Sequence, residues 1–429
     1  MHMQFTRTQI MILGGVALAI ALFVGIFIYL IPSLQQGNSE EPATKITLTI
    51  WGIEDPSNFS TLTSQYTLEH PNVVLRYTQV PEDRYDRTIL NAMATNTGPD
   101  ILMVHRSWVQ RYSDKIMAAD YPQIQPSELK ALFPDVVARD FVYLDYVFAL
   151  PLYIDTPALL YNKTLFNNKG VAVAPTTWGD VKTLVPYFTE FTASKQLKKS
   201  AIAIGGSGKS IEHAPDILSL LMLQFGAQRL EVTGQRATFD ASAKNALDFY
   251  TQFATPNTPY YTWSDAFANA DNAFGAEDTA MTFGYARDIK QLVQKNPYLN
   301  FGIYPMPQND LSNPVNYADY WGLAVSAKSV DIAQAWRFVI AATTDSKLAT
   351  LYTTRSNNPP ALRTLINDSL RNPSIGVFAR QALTARAPFQ YDNVSYRTAL
   401  SRSIESVLTG QFQSQSALDK AAAEINSRY

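Results

Sequence analysis

The first segment of the chain breaks from the mixed hydrophobic and polar pattern of the rest. No charged residue occurs from Ile10 to Ile31, and at 1.5 Å per helical residue that stretch reaches about 33 Å, enough to cross the hydrocarbon core of a bilayer. The pattern predicts one transmembrane helix over 10–31. A cleaved secretory leader has an apolar run of only about 7–15 residues and then a small-residue cleavage site. No such site follows Leu30, so an uncleaved anchor is expected. Arg7 precedes the helix while Glu40 and Glu41 follow it. The positive-inside bias then leaves residues 1–9 in the cytoplasm and everything from Pro32 onward outside. This is the pattern of a single-pass cell-membrane protein with an extracellular or periplasmic body. Residues 32–44, with Gly37, Asn38, Ser39 and Pro42, read as a polar linker.

Past the linker the period changes to two. Ile46, Leu48 and Ile50 alternate with Thr47 and Thr49, a strand that Trp51-Gly52 ends. Phe59, Leu62 and Tyr66 then fall at helical spacing up to His70-Pro71, Val73 to Tyr77 form an apolar run, and Tyr85, Ile89 and Met93 mark a second helix. Thr97-Gly98-Pro99-Asp100 closes it before the short strand Ile101 to Val104. Strand, helix, strand, helix, strand is an α/β layout with right-handed crossovers. A second such unit begins after Pro175-Thr176-Thr177-Trp178. There Thr177 and Asp180 form a capping-box variant opening a helix through Val181, Leu184 and Val185. Ala201 to Ile204, Ala280 to Phe283, Phe301 to Tyr304 and Leu323 to Val325 read as further strands, and Ile217 to Phe225 as a helix. The last hundred residues read as mainly helical, with no internal repeat.

Composition narrows the function. The 429 residues are 46% hydrophobic, enough for two or three cored domains and against global disorder. Lys and Arg total 35 against 37 Asp and Glu, so there is no basic field for nucleic acid. The absence of cysteine removes disulfides, thiolate metal sites, cysteine nucleophiles and a lipid anchor on an N-terminal cysteine, and four His argue against a His-rich metal site. No metal and no cofactor are expected. Gly205-Gly206-Ser207-Gly208-Lys209-Ser210 has the look of a phosphate loop, but the position that needs the first glycine is Ala203. A flexible loop is the better reading.

The order of several short segments resembles the extracellular solute-binding proteins, family one, of ABC importers, the maltose-binding-protein-like group. They are Trp51-Gly52, His70-Pro71-Asn72-Val73, Thr97-Gly98-Pro99-Asp100-Ile101, Leu150-Pro151, Leu160-Tyr161-Asn162-Lys163 and Pro175-Thr176-Thr177-Trp178. Ala280-Met281, Pro305-Met306-Pro307, Trp321-Gly322-Leu323-Ala324-Val325 and Ala335-Trp336-Arg337-Phe338 continue the order. The resemblance implies an α/β, two-lobed periplasmic-binding-protein type II fold, here with the N-terminal transmembrane helix in place of the usual lipid anchor. It implies an N-terminal lobe of 45–155 and 305–350 and a C-terminal lobe of 156–304 and 351–429. It also implies a non-enzymatic, monomeric receptor that binds a sugar or oligosaccharide between the lobes and passes it to an ABC permease. A peptide or other polar solute, a surface glycan hydrolase and an adhesin are the alternatives.

Sugar sites combine aromatic platforms with carboxylate, amide and guanidinium groups. By the resemblance, ligand contacts fall on Trp51, Glu54 and Asp55 after the first strand, against a packed Trp with helix-capping carboxylates. They fall too on Arg106, Ser107 and Trp108 after the third, against an exposed Arg and a packed Trp, with His105 structural. Tyr153 and Asp155 form a further pair. Tyr285 and Arg287 follow the Ala280–Gly284 strand, where relatives commonly present a Trp. Tyr320 and Trp321 precede Gly322, and Tyr391 and Tyr396 open a late helix. Trp178 and Trp336 are assigned to packing.

Overall fold

The alternating segment Ile46–Gly52 is a strand with Leu48 and Ile50 buried and Thr47 exposed. It pairs in parallel with Val73–Gln79 on one side and Ile101–His105 on the other. The intervening helix Pro56–Glu69 begins where the Asp55 side chain accepts from Ser57 N at 2.8 Å, and it buries Phe59, Leu62 and Tyr66. Each fully buried large side chain stabilises the fold by roughly 1.5–3 kcal/mol. The strand Trp321–Ser326, more than 200 residues downstream in sequence, enters the same six-stranded sheet antiparallel to Ile101–His105. Asp100 ties that return in place. Its carboxylate accepts from Thr49 N and Oγ1 at 2.8 Å, from Ser329 Oγ at 3.0 Å and from Val330 N at 2.8 Å. The Gly-Pro-Asp segment thus closes a helix and clasps two strands. Gly322 is required by close approach, since a Cβ there would lie 2.6 Å from Leu150 O and from the Phe141 ring.

The second sheet has five strands, in the order Phe301–Tyr304, Ala158–Asn162, Thr279–Gly284, Leu197–Ile202 and Glu190–Phe191. The helix Trp178–Phe188 opens on the reciprocal Thr177/Asp180 capping box that the spacing predicts, a device worth about 1 kcal/mol. Trp178 and Trp336 are both buried, in different cores.

The computed structural model describes residues 6–35, 45–120, 122–227, 237–388 and 390–427, without the side chains of residue 9 and of 27–35. Two large hydrophobic cores take most of their buried apolar side chains, with two small clusters beside them. One is built around the first sheet and the other around the second. The chain passes between the cores near Asp155, between Met306 and Ala318, and after Ala385, with a bridge between Asp155 and Asp319 where two crossings meet. The stretch after 350, expected in the second lobe, sends Tyr352, Ala361, Leu362 and Ile366 into the first core. The reason is that helix Ser346–Ser356 lies against helix Pro56–Glu69, with the Tyr352 and Phe59 rings edge-on at 5.5 Å. Only from Tyr396 does the chain rejoin the second core.

A helix covers Arg7–Gln35. Among the described residues no helix is long and apolar enough to cross a membrane, so the span expected over 10–31 is not confirmed. The side chains of its last part, 27–31, lie outside the described residues, as do 36–44 of the expected linker and 1–5 of the expected cytoplasmic end.

Candidate functional site: the interlobe cluster

Strand ends of both sheets meet where the chain crosses between cores, and the charged side chains collect there. Asp319, on a crossing segment, receives Arg287 Nη2 at 2.8 Å and His105 Nε2 at 2.9 Å. Burial would raise the Asp319 carboxyl, but the Arg287 guanidinium foremost, with the His105 bond, holds it well below the usual carboxylate range. His105 Nδ1 meets Ser107 Oγ at 2.8 Å. Arg287 opens the helix Ala286–Lys295 of the second lobe, and its guanidinium lies 4.1 Å above the Tyr285 ring. Tyr285 is fully buried, and its hydroxyl has no hydrogen-bond partner. From the first lobe, Glu54 accepts from Asn58 Nδ2 at 2.7 Å. Burial raises its carboxyl, opposed by Asn58 and by the charge of Arg287. Tyr153 is buried beside it, stacked on Tyr352 at 6.4 Å.

Beneath this lies an aromatic rack. The Trp108 ring stacks on Tyr112 at 5.2 Å and near-parallel to Tyr85 at 6.1 Å, and meets Trp321 edge-on at 5.0 Å. Trp108 Nε1 donates to Asn393 Oδ1 at 3.1 Å, a contact from the first core to the end of the helix that enters the second. Arg106 is buried, donating to Pro388 O at 3.2 Å and to Tyr317 OH at 3.3 Å, with Asp140 4.0 Å away.

The residues singled out from sequence therefore divide. Glu54, Tyr153, Tyr285 and Arg287 come together, with Arg106, Ser107 and Trp108 adjoining. Asp55 is exposed and caps a helix, while Trp51 is half-buried against the first core with its carbonyl accepting from Tyr85 OH at 2.8 Å. Asp155 is fully buried, and its carboxylate accepts from Ala286 N at 3.2 Å and Arg287 N at 3.3 Å. Burial pushes it up to about 7, against the pull of Arg287. Tyr320 is buried with its hydroxyl on Asp140 at 2.8 Å, and Trp321 belongs to the rack. Tyr396 is in the second core. Sequence reasoning missed Asp319, His213, Asp216, Asp288 and Arg397. Asp288 is the third-position acid of the helix that Tyr285 caps, accepting from Tyr285 N at 2.8 Å; the others belong to no motif, and only its position just before Tyr320-Trp321 hints at Asp319.

His213 sits among these carboxylates, with Nε2 2.8 Å from Asp288 and Nδ1 3.6 Å from Asp216, which also pairs with Arg397. Burial alone would lower the imidazole, but the two carboxylates outweigh it and hold it up at about 10 against an ordinary 6.5. Its contribution to stability is therefore full below pH 6.5 and lost as pH rises toward 10. Thermal unfolding followed from pH 6.5 to 10 should show a loss of a few kcal/mol, and His213→Gln should flatten that slope. Identical slopes in the two proteins would refute the assignment.

The glycine-rich segment is no phosphate cradle. Ser207 N and Oγ donate to the Asp265 carboxylate at 2.8 and 2.6 Å, and Ser210 Oγ does so at 2.6 Å. A carboxylate of the chain itself thus takes the donors an anion would need. Lys209 is paired with Glu405. Gly205, at φ +94°, packs where a Cβ would lie 2.7 Å from Ala254 N.

Two cored α/β lobes joined by three crossings, with a polar and aromatic cluster between them, define a binding protein. Residues 52–347 match the family model of the bacterial extracellular solute-binding proteins, and the chain belongs to that family. Among solved structures it is similar to the GacH receptor of Streptomyces glaucescens, known unliganded and with acarbose. The TM-score is 0.69 at 19% identity, covering 89% of this chain and 97% of that one. It is also similar to the cyclic alpha-maltosyl-1,6-maltose binding protein of Arthrobacter globiformis, with a TM-score of 0.71 at 19% identity and coverages of 89% and 98%. The multiple sugar-binding protein of Streptococcus mutans is 24% identical over 223 residues, 50% of this chain and 51% of that protein.

Proposed function

We propose that the protein is a monomeric receptor that captures a sugar or oligosaccharide between its lobes and delivers it to an ABC importer. The observation that carries this is that both lobes contribute to one cluster, Glu54 and Tyr153 from the first and Tyr285 and Arg287 from the second. Such a set suits a sugar, with ring faces against aromatic rings and hydroxyls on carboxylate and guanidinium. The unpartnered Tyr285 hydroxyl supports it, because a buried polar atom without a partner calls for a role. The sugar ligands named for the relatives agree. The moving lobes are taken as 45–155 with 318–385, and 156–306 with 396–425, turning about the crossings. The uncharged run over 10–31 serves as the membrane anchor, leaving the body outside the cell.

The test is thermal unfolding of the full chain against sugars, oligosaccharides, amino acids and peptides. A ligand at 100 times its Kd adds about 2.7 kcal/mol, a shift of several degrees. A shift with one sugar class that Glu54→Ala removes is the expected result, together with recovery of the full chain in the membrane fraction after alkaline washing. A shift with peptides alone would replace the sugar, and recovery in the soluble fraction would remove the anchor.

A further inference from the structure

The interlobe cluster is not balanced in charge. Each of its cations is already met by a carboxylate: Arg287 by Asp319 at 2.8 Å, His213 by Asp288 at 2.8 Å, and Arg397 by Asp216. Burial foremost lowers the His105 imidazole, so it adds no charge near neutrality. Glu54 and Glu82 are left over. Among the described residues neither carboxylate has a basic side chain within 4.0 Å. The hydrogen-bonding neighbours of Glu54, which are Asn58, Asn358 and Tyr352, are all neutral.

The first sheet sets the two acids side by side. Ile46–Gly52 and Val73–Gln79 run parallel with Gly52 opposite Gln79, and Val80 N donates to Gly52 O at 2.8 Å. Glu54 comes two residues after Gly52 and Glu82 three after Gln79. Both therefore follow the carboxyl ends of neighbouring strands, about 4.8 Å apart, on the side where open α/β sheets take ligands. Glu82 opens the helix Glu82–Ala94, where the helix dipole would hold an acid down. Its carboxyl is raised instead, by burial foremost, with Arg287 and Arg397 pulling it down and Asp319 and Glu212 pushing it up. Those four groups belong to the second lobe and the crossing, so Glu82, although open to solvent, looks across the space between the lobes.

The surplus charge selects the occupant. A neutral sugar would satisfy the oxygens with its hydroxyls but leave the negative charge unanswered, and an acidic sugar would be repelled. A bare metal ion lacks a ligand set, since among the described residues no three His, Asp or Glu side chains are placed to hold one. A protonated amine answers the charge and brings three donors that two carboxylates share. We propose that Glu54 and Glu82 together hold the ammonium group of an amino sugar, a hexosamine unit, in the cleft. This rests on the sugar reading of the cleft and narrows it to a basic sugar.

Calorimetric titration of the full chain at about pH 6.5, where a primary amine is protonated, tests it. Glucosamine, galactosamine and short glucosamine oligomers are each compared with their N-acetylated and neutral counterparts. The amine should bind about ten- to a hundredfold more tightly than either counterpart, and added salt should shrink that preference. Glu82→Gln, at an exposed position, should reduce the preference about tenfold, and Glu54→Gln should do the same. A structural role would weaken all three forms alike, and that result overturns the anchor. Equal binding of amine and neutral sugars in the wild type also overturns it, while leaving the sugar reading in place. No binding by any sugar, or binding only by lysine-containing peptides, removes the sugar reading and the amino sugar with it.

Discussion

Asp319→Ala is expected to destabilise the protein by about 3 kcal/mol and to lower its melting temperature by roughly 6–12 °C. The carboxylate answers Arg287 at 2.8 Å and His105 at 2.9 Å, so its removal leaves a guanidinium and a buried imidazole without their partner. The figure is taken at the low end of the range for a broken buried pair because the Arg287 side chain is 35% exposed and water screens part of the loss. Asp319→Asn keeps an acceptor for one partner and should cost less than half as much. A melting temperature within 2 °C of wild type for Asp319→Ala would mean that the cluster contributes nothing to the fold.

Trp108→Ala should cost about 3–5 kcal/mol, the range for emptying an aromatic site in a core. Tyr85, Tyr112 and Trp321 all lose a ring contact at once. Trp108→Phe keeps most of that packing and removes the indole N–H that Asn393 accepts. It should cost about 1–2 kcal/mol. A double-mutant cycle of Trp108→Phe with Asn393→Ala, read by denaturant unfolding, isolates the contact. Strict additivity would show that the bond does not couple the lobes.

Much of the architecture was legible because it is periodic and local. The alternation of Ile46, Leu48 and Ile50, the spacing of Phe59, Leu62 and Tyr66, and the Thr177/Asp180 box are each satisfied within a few residues. The site was less legible for the opposite reason. His105 and Asp319 are separated by 214 positions and Asp216 and Arg397 by 181, and no local pattern announces such a pair. Proximity in sequence also misled. Asp55 stands beside Glu54, yet one carboxylate begins a helix and the other turns to the cluster. Asp155 sits two residues from Tyr153, but its oxygens are committed to backbone N–H groups of a helix that starts at Ala286. The assignment of residues beyond 350 failed on packing as far as Ala385, since Tyr352 meets Phe59 and Ala361, Leu362 and Ile366 join the first core, while from Tyr396 onward it held.

The rack of Tyr85, Trp108, Tyr112 and Trp321 has an optical consequence. Rings held within about 6 Å exchange excitation far faster than they emit, so light absorbed by either tyrosine leaves through the two indoles. The emission colour of an indole depends on what its N–H touches, and Trp108 touches a residue on the far side of the crossing. A change in the relation of the lobes that breaks the Trp108–Asn393 contact is expected to shift, without a label, the part of the ultraviolet emission that comes from Trp108, one of six tryptophans.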